Sequence, residues 1–89
     1  MKKKKIIRTG ISWSFDQSYW YVYVECGYSR EDWYVVEYTC DCEIATDYKK
    51  GLDKSMATKD LYYCDYTDWE LQNLPEDKTP TIIAVDKAA

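Results

Sequence analysis

The sequence predicts an α+β domain, built on an antiparallel β-sheet that begins as a three-stranded meander, with one or two short helices packed on one face. Three observations carry that expectation. The first half of the chain alternates apolar and polar side chains with a period of two. Short turn-forming stretches separate those runs. The second half breaks into shorter segments that carry helix-capping signals.

Lys2, Lys3, Lys4 and Lys5 open the chain, and residues 1–6 read as a flexible basic tail that leaves 7–89 as a single domain. Only Ile6 and Ile7 follow before Arg8, far short of the apolar stretch of a secretory signal. No segment is long enough to span a bilayer, so the expected location is the cytoplasm. With 89 residues the chain forms one small domain, and nothing is left over for a second.

Ile7, Thr9, Ile11, Trp13 and Phe15 alternate with Arg8, Gly10, Ser12 and Ser14, the pattern of a strand with one wet face. Asp16, Gln17 and Ser18 mark a turn. A hairpin through it sets Trp13 against Trp20, Ile11 against Val22 and Thr9 against Val24. On the other face Ser14, Ser12, Gly10 and Arg8 meet Tyr19, Tyr21, Tyr23 and Glu25. A second turn around Tyr28–Asp32 leads into the run from Trp33. Pairing Cys26 with Tyr34 then places Val24 against Val36, Val22 against Tyr38 and Trp20 against Cys40. In that register Tyr23 faces Glu37, Tyr21 faces Thr39 and Tyr19 faces Asp41. A slip of one residue would bury Glu37 and Asp41, an expensive outcome for unpaired charges.

Beyond Cys42 the pattern weakens. Asp41 as N-cap, Ile44, Ala45 and Tyr48 on one face, and Lys49, Lys50 and Gly51 at the end spell a short helix. Residues 52–66 fit strand, helix or loop. Thr67 to Glu70 has the form of a capping box, opening a helix that carries Trp69, Leu71 and Leu74 until Pro75 ends it. Asp77–Pro80 is a loop, and Thr81–Val85 reads as a largely buried closing strand.

Composition restricts the chemistry. The chain has no histidine, which removes the commonest general base and neutral metal ligand. Its three glycines form no phosphate-cradling loop. Cys26, Cys40, Cys42 and Cys64 are separated by 13, 1 and 21 residues, unlike the paired knuckles of a zinc site. They read as small core hydrophobes, with a metal or redox pairing of Cys42 and Cys64 as the minor alternative. Neither a catalytic residue nor a metal or cofactor is expected, and the predicted class is non-enzymatic.

What the pattern offers is a surface. Tyr19, Tyr21, Tyr23, Glu25, Glu37, Thr39 and Asp41 share one predicted sheet face, and Asp60, Asp65 and Asp68 form a second acidic edge. Of twelve basic residues, five lie in the first eight positions, so residues 9–89 hold seven basic against sixteen acidic groups. Such a body repels nucleic-acid backbones and attracts basic proteins. The expected function is that of a small acidic inhibitor or nucleic-acid-mimicking decoy on a basic protein partner, such as a nucleic-acid-processing enzyme. Its size and charge suit an accessory inhibitor of the kind a mobile element would carry against a host nucleic-acid enzyme. The alternative is a small-ligand, nucleotide or oligonucleotide module that uses Tyr19, Tyr21 and Tyr23 as a stacking platform. A homo-oligomer fits either reading, because a small sheet exposes edge strands.

Overall fold

All three alternating runs, and the lysines before them, form strands. The computed structural model describes residues 1–73 and 81–87. Along them lie β1 (Lys2–Lys5), β2 (Arg8–Ser14), β3 (Tyr19–Glu25), a 3-10 turn (Arg30–Asp32), β4 (Trp33–Thr39), α1 (Cys42–Thr58), β5 (Lys59–Asp65), α2 (Asp68–Asn73) and β6 (Ile82–Asp86). Among these residues the strands make two antiparallel sheets, ordered β1-β5-β6 and β2-β3-β4. Helix α1 packs on β2, β3, β4 and β5 and so spans the two sheets. The class is α+β and the meander is present.

The first hairpin has the predicted register at every pair from Arg8–Glu25 to Ser14–Tyr19. The second does not. Val24 pairs with Tyr34 and Tyr23 with Val35, a shift of two residues that preserves the facing, but Val22 then pairs with Glu37 across a bulge that leaves Val36 without a partner. Two consecutive residues, Val36 and Glu37, thereby turn to the helix side, and Tyr38 turns outward opposite Tyr21. Crowding accounts for the exchange. The inner side at that end already holds Trp13 and Trp20, whose rings lie 5.2 Å apart, and α1 brings Tyr48 against it. Glu37 is half-buried there. Burial, and then the Glu37 charge, push the Tyr48 hydroxyl above its ordinary pKa.

The lysines form no free tail. Lys2 to Lys5 pair with Asp65 to Tyr62 of β5. Lys4 lies 3.5 Å from Asp65 and Lys5 lies 3.6 Å from Asp60. The Lys4 ammonium also donates to the Tyr34 hydroxyl, which is the main reason its pKa rises. Ile6, 2% exposed, anchors the segment. Its N–H donates to Leu61 O at 2.8 Å, and the next N–H, of Ile7, donates to Glu25 O at 2.7 Å. One continuous stretch therefore passes from the first sheet to the second.

Asp41 caps α1 as predicted, accepting from Glu43 N at 2.8 Å. The helix continues past Gly51 because the inward stripe continues: after Ala45 and Tyr48 come Leu52 and Met56, and both pack on the core of Ile6, Val24 and Leu61. Gly51 itself meets nothing within 4 Å, so it costs the helix only the usual roughly 1 kcal/mol relative to alanine. Ile44, expected beside Ala45, is exposed.

Residues 59–65, undecided from sequence, are the central strand of the first sheet. Thr67 and Glu70 form the predicted capping box through two reciprocal bonds of 3.2 Å. Leu74, Pro75 and the loop Asp77–Pro80 lie outside the described residues. The closing strand is an edge rather than a buried one: Ile82 and Ile83 are half-buried, while Ala84, Val85 and Asp86 are exposed. Cys64 is buried and Cys26 partly so. Burial raises the Cys26 thiol pKa. Cys40 and Cys42 are exposed instead of inward, because β4 ends at Thr39 and Cys42 already belongs to the helix.

Candidate functional site

The outward face of β2-β3-β4 is where the structure concentrates its unusual composition. On an antiparallel pair every second residue shares a face, so β3 presents Tyr19, Tyr21 and Tyr23 together. The bulge in β4 adds Tyr38 at one end, and Trp33 closes the other. The five rings touch in sequence. Tyr38 meets Tyr19 edge-on at 5.1 Å, Tyr19 meets Tyr21 at 6.3 Å, Tyr21 meets Tyr23 at 6.1 Å, and Tyr23 stacks on Trp33 at 5.3 Å with the planes 14° apart. The Arg30 guanidinium lies over Trp33, 5.9 Å from the ring centre. Each ring contact of this kind adds about 0.5–1.5 kcal/mol beyond its buried area, so the stripe is ordered by itself, without a covering element.

Small residues on β2 make the stripe possible. A Cβ on Gly10 would stand 2.2 Å from Tyr23 Cζ. The Tyr23 ring therefore lies flat across the Gly10 backbone, and only glycine leaves that space. Ser12 and Ser14 continue the low shelf beside Tyr21 and Tyr19. Between shelf and ridge runs an open groove of about 540 Å³, lined by Ser12, Tyr21, Tyr23, Arg30, Trp33 and Val35. The Trp33 indole N–H is enclosed and has no acceptor among the described residues.

Of the predicted carboxylates, Glu25 alone continues the tyrosine face. Glu25 is only 5% exposed and is clamped by Arg8 through two hydrogen bonds of 2.9 Å; this pairing raises the Arg8 pKa. Glu37 turned inward with the bulge. Thr39 stands opposite Trp20 on the helix side, where its hydroxyl accepts from Asp41 N at 3.1 Å. Asp41 is occupied as the α1 cap. The second acidic edge is largely neutralised, since Asp60 and Asp65 pair with Lys5 and Lys4; Asp68 is exposed in the first turn of α2. The structure thus brings the three tyrosines together with Glu25 next along the same face, turns Glu37 and Thr39 to the helix side, leaves Asp41 at the end of β4 as the helix cap, and places Asp60, Asp65 and Asp68 on other elements.

Sequence reasoning missed Trp33, Val35, Tyr38 and Arg30. The outward phase of Trp33 and Val35 follows from pairing Tyr34 inward, so that signal was present. The move of Tyr38 depends on the bulge, which left no mark in composition. Among the described residues no three His, Cys, Asp or Glu side chains gather where they could hold a metal. No described helix is long and apolar enough to cross a membrane. No family model, curated protein or solved structure matches this chain, which leaves its own surface as the guide to what it does.

Proposed function

We propose that this chain is a small, non-enzymatic, cytoplasmic binding protein that occupies a basic surface of another protein, as an inhibitor or nucleic-acid-mimicking decoy, and that the aromatic stripe is its contact surface. The single observation that carries the reading is five exposed or half-exposed rings in unbroken contact on an open sheet face. Tyrosine and tryptophan are the residues that dominate interface energetics, and the centre of an interface is depleted of charge. Acids border the stripe rather than stud it: Glu31 and Asp32 precede Trp33, and Asp41 and Glu43 follow the strand that carries Tyr38. Ring faces attract Arg and Lys by roughly 0.5–2 kcal/mol per pair. The acidic body speeds encounter with a basic partner.

The groove favours a second reading, a planar ligand held against Tyr21 and Trp33 with its anionic group at Arg30, which has no carboxylate partner within ion-pairing distance among the described residues. One variant and one titration test the two readings. Tyr21→Ala removes the central ring, and a loss of about 2 kcal/mol, near thirtyfold in affinity, is expected for a basic partner captured at low salt. Unchanged capture by this variant rejects the stripe as the contact surface. Millimolar nucleotides that leave Trp33 fluorescence unaltered reject the ligand reading.

A further inference from the structure

Two open three-stranded sheets have four edges, and among the described residues three of them carry a recognisable guard against pairing with another strand. The β1 edge is four consecutive lysines. The β4 edge is broken by the bulge at Val36. The β6 edge is five residues long and ends in Asp86, which is paired to Lys59, and in Lys87. Charges, bulges and short length are the devices by which natural sheets avoid edge-to-edge association. The β2 edge has neither a bulge nor a short length, and its one charge, Arg8 at the end of the strand, is held by Glu25 of its own sheet. It runs for seven residues in unbroken register with β3, holds no charge from Thr9 to Ser14 and no proline, and pairs among the described residues on one side only.

From this contrast we infer that β2 is the seam of a homodimer, in which the β2 strands of two copies pair antiparallel and join their sheets into one of order β4-β3-β2-β2-β3-β4. The sequence of the strand is self-complementary for that arrangement. A two-fold axis at Ile11 sets Ile11 against its own copy and Thr9 against Trp13 on the inner face, and sets Gly10 against Ser12 and Arg8 against Ser14 on the outer face. Ile11 meets Ile11, Gly10 meets Ser12, Thr9, whose hydroxyl already donates to Asp53 of α1, presents only its methyl to Trp13, and the two Arg8 side chains stand at opposite ends. Ile11 and Trp13 are half-exposed in the single chain, and Phe15 beyond them is 86% exposed. A second copy covers part of that apolar surface. A foreign strand would need the same alternation, which β2 itself already supplies.

The dimer has a functional corollary. The axis is perpendicular to the sheet, so both tyrosine stripes face the same way. At about 4.8 Å per strand they run roughly 14 Å apart, on either side of a trough floored by Ser12 and Ser14 and overlain at Gly10 by the Tyr23 ring. The partner would then be gripped twice.

Sedimentation of the full chain between about 10 µM and about 1 mM tests the seam. The expected result is twice the chain mass at the upper end, reverting to the single mass in Ser12→Lys, which places on the outer shelf the charge that the other edges possess. Tyr21→Ala, which breaks the stripe and leaves the edge, should keep the dimer mass, so failure of the stripe reading and failure of the seam are separately visible. If Ser12→Lys disturbs the circular dichroism spectrum, hydrogen exchange on the unaltered chain decides: amides of Thr9–Ser14 should gain at least tenfold protection at the higher concentration. A single-chain mass throughout, or a dimer whose β2 amides exchange no more slowly, overturns the proposal.

Discussion

The outward surface of β2-β3-β4 is held by ring against ring, whereas β1-β5-β6 is tied together at its surface by charge. In the first, Tyr38, Tyr19, Tyr21, Tyr23 and Trp33 order one another and carry no charge of their own. In the second, Lys4 pairs with Asp65, Lys5 with Asp60 and Lys59 with Asp86, at 3.5 to 3.6 Å. The difference separates two uses of a surface. Ion pairs satisfy each other and leave little to offer a partner. Contacting rings keep their outer faces and edges free, and apolar area left in water is the main source of binding energy. Salt tells the two apart, because exposed ion pairs are screened over about 8–10 Å while ring contacts are not.

The contrast breaks most visibly at the shared core. Leu61, 3% exposed, packs with Ile6 and Val24 where the two sheets meet, so Leu61→Ala should cost about 2–5 kcal/mol. Tryptophan fluorescence, to which Trp13, Trp20 and Trp33 of β2-β3-β4 contribute alongside Trp69 of α2, and far-ultraviolet dichroism should lose their signals in one common denaturant transition. Two separated transitions would mean that the sheets are independent and that the comparison is between two units.

A smaller effect is expected on the aromatic side alone. Gly10→Ala introduces a methyl where the Tyr23 ring lies; the ring must leave its stack on Trp33, at a cost of about 1–3 kcal/mol. The accompanying sign is a change in Trp33 emission with the ion-paired sheet intact. The smallest effect belongs to the charged side. Asp60→Asn with Asp65→Asn should lower stability by no more than about 1 kcal/mol at low salt, and the loss should vanish in about 1 M salt. A salt-independent loss would show that these carboxylates act through something other than charge.

The parts legible in the sequence are those whose signals are local. The Arg8–Glu25 hairpin follows from strict alternation on both strands and a short turn, and the capping atoms of Asp41, Thr67 and Glu70 lie within three residues of the groups they satisfy. The rest depends on distant partners or on volume. Four lysines look like a solvated tail until Asp60 and Asp65 are seen across from them. Val35 and Val36 are equally apolar, so the pattern cannot show which of them steps out of the ladder. What decides it is how much aromatic volume the inner face holds at Trp13, Trp20 and Tyr48, a quantity set by three separate elements. That one unpaired residue then determined the candidate site, exchanging a carboxylate for a phenol on the open face.

The peptide link between Ile6 and Ile7 also dictates an order of events. Lys2–Lys5 is synthesised roughly sixty residues before its hydrogen-bonding mate, Tyr62–Asp65, a separation that slows closure. The β2-β3-β4 meander needs only neighbours and can form while the nascent chain is still growing. The Lys2–Lys5 strand is therefore among the last to find its place.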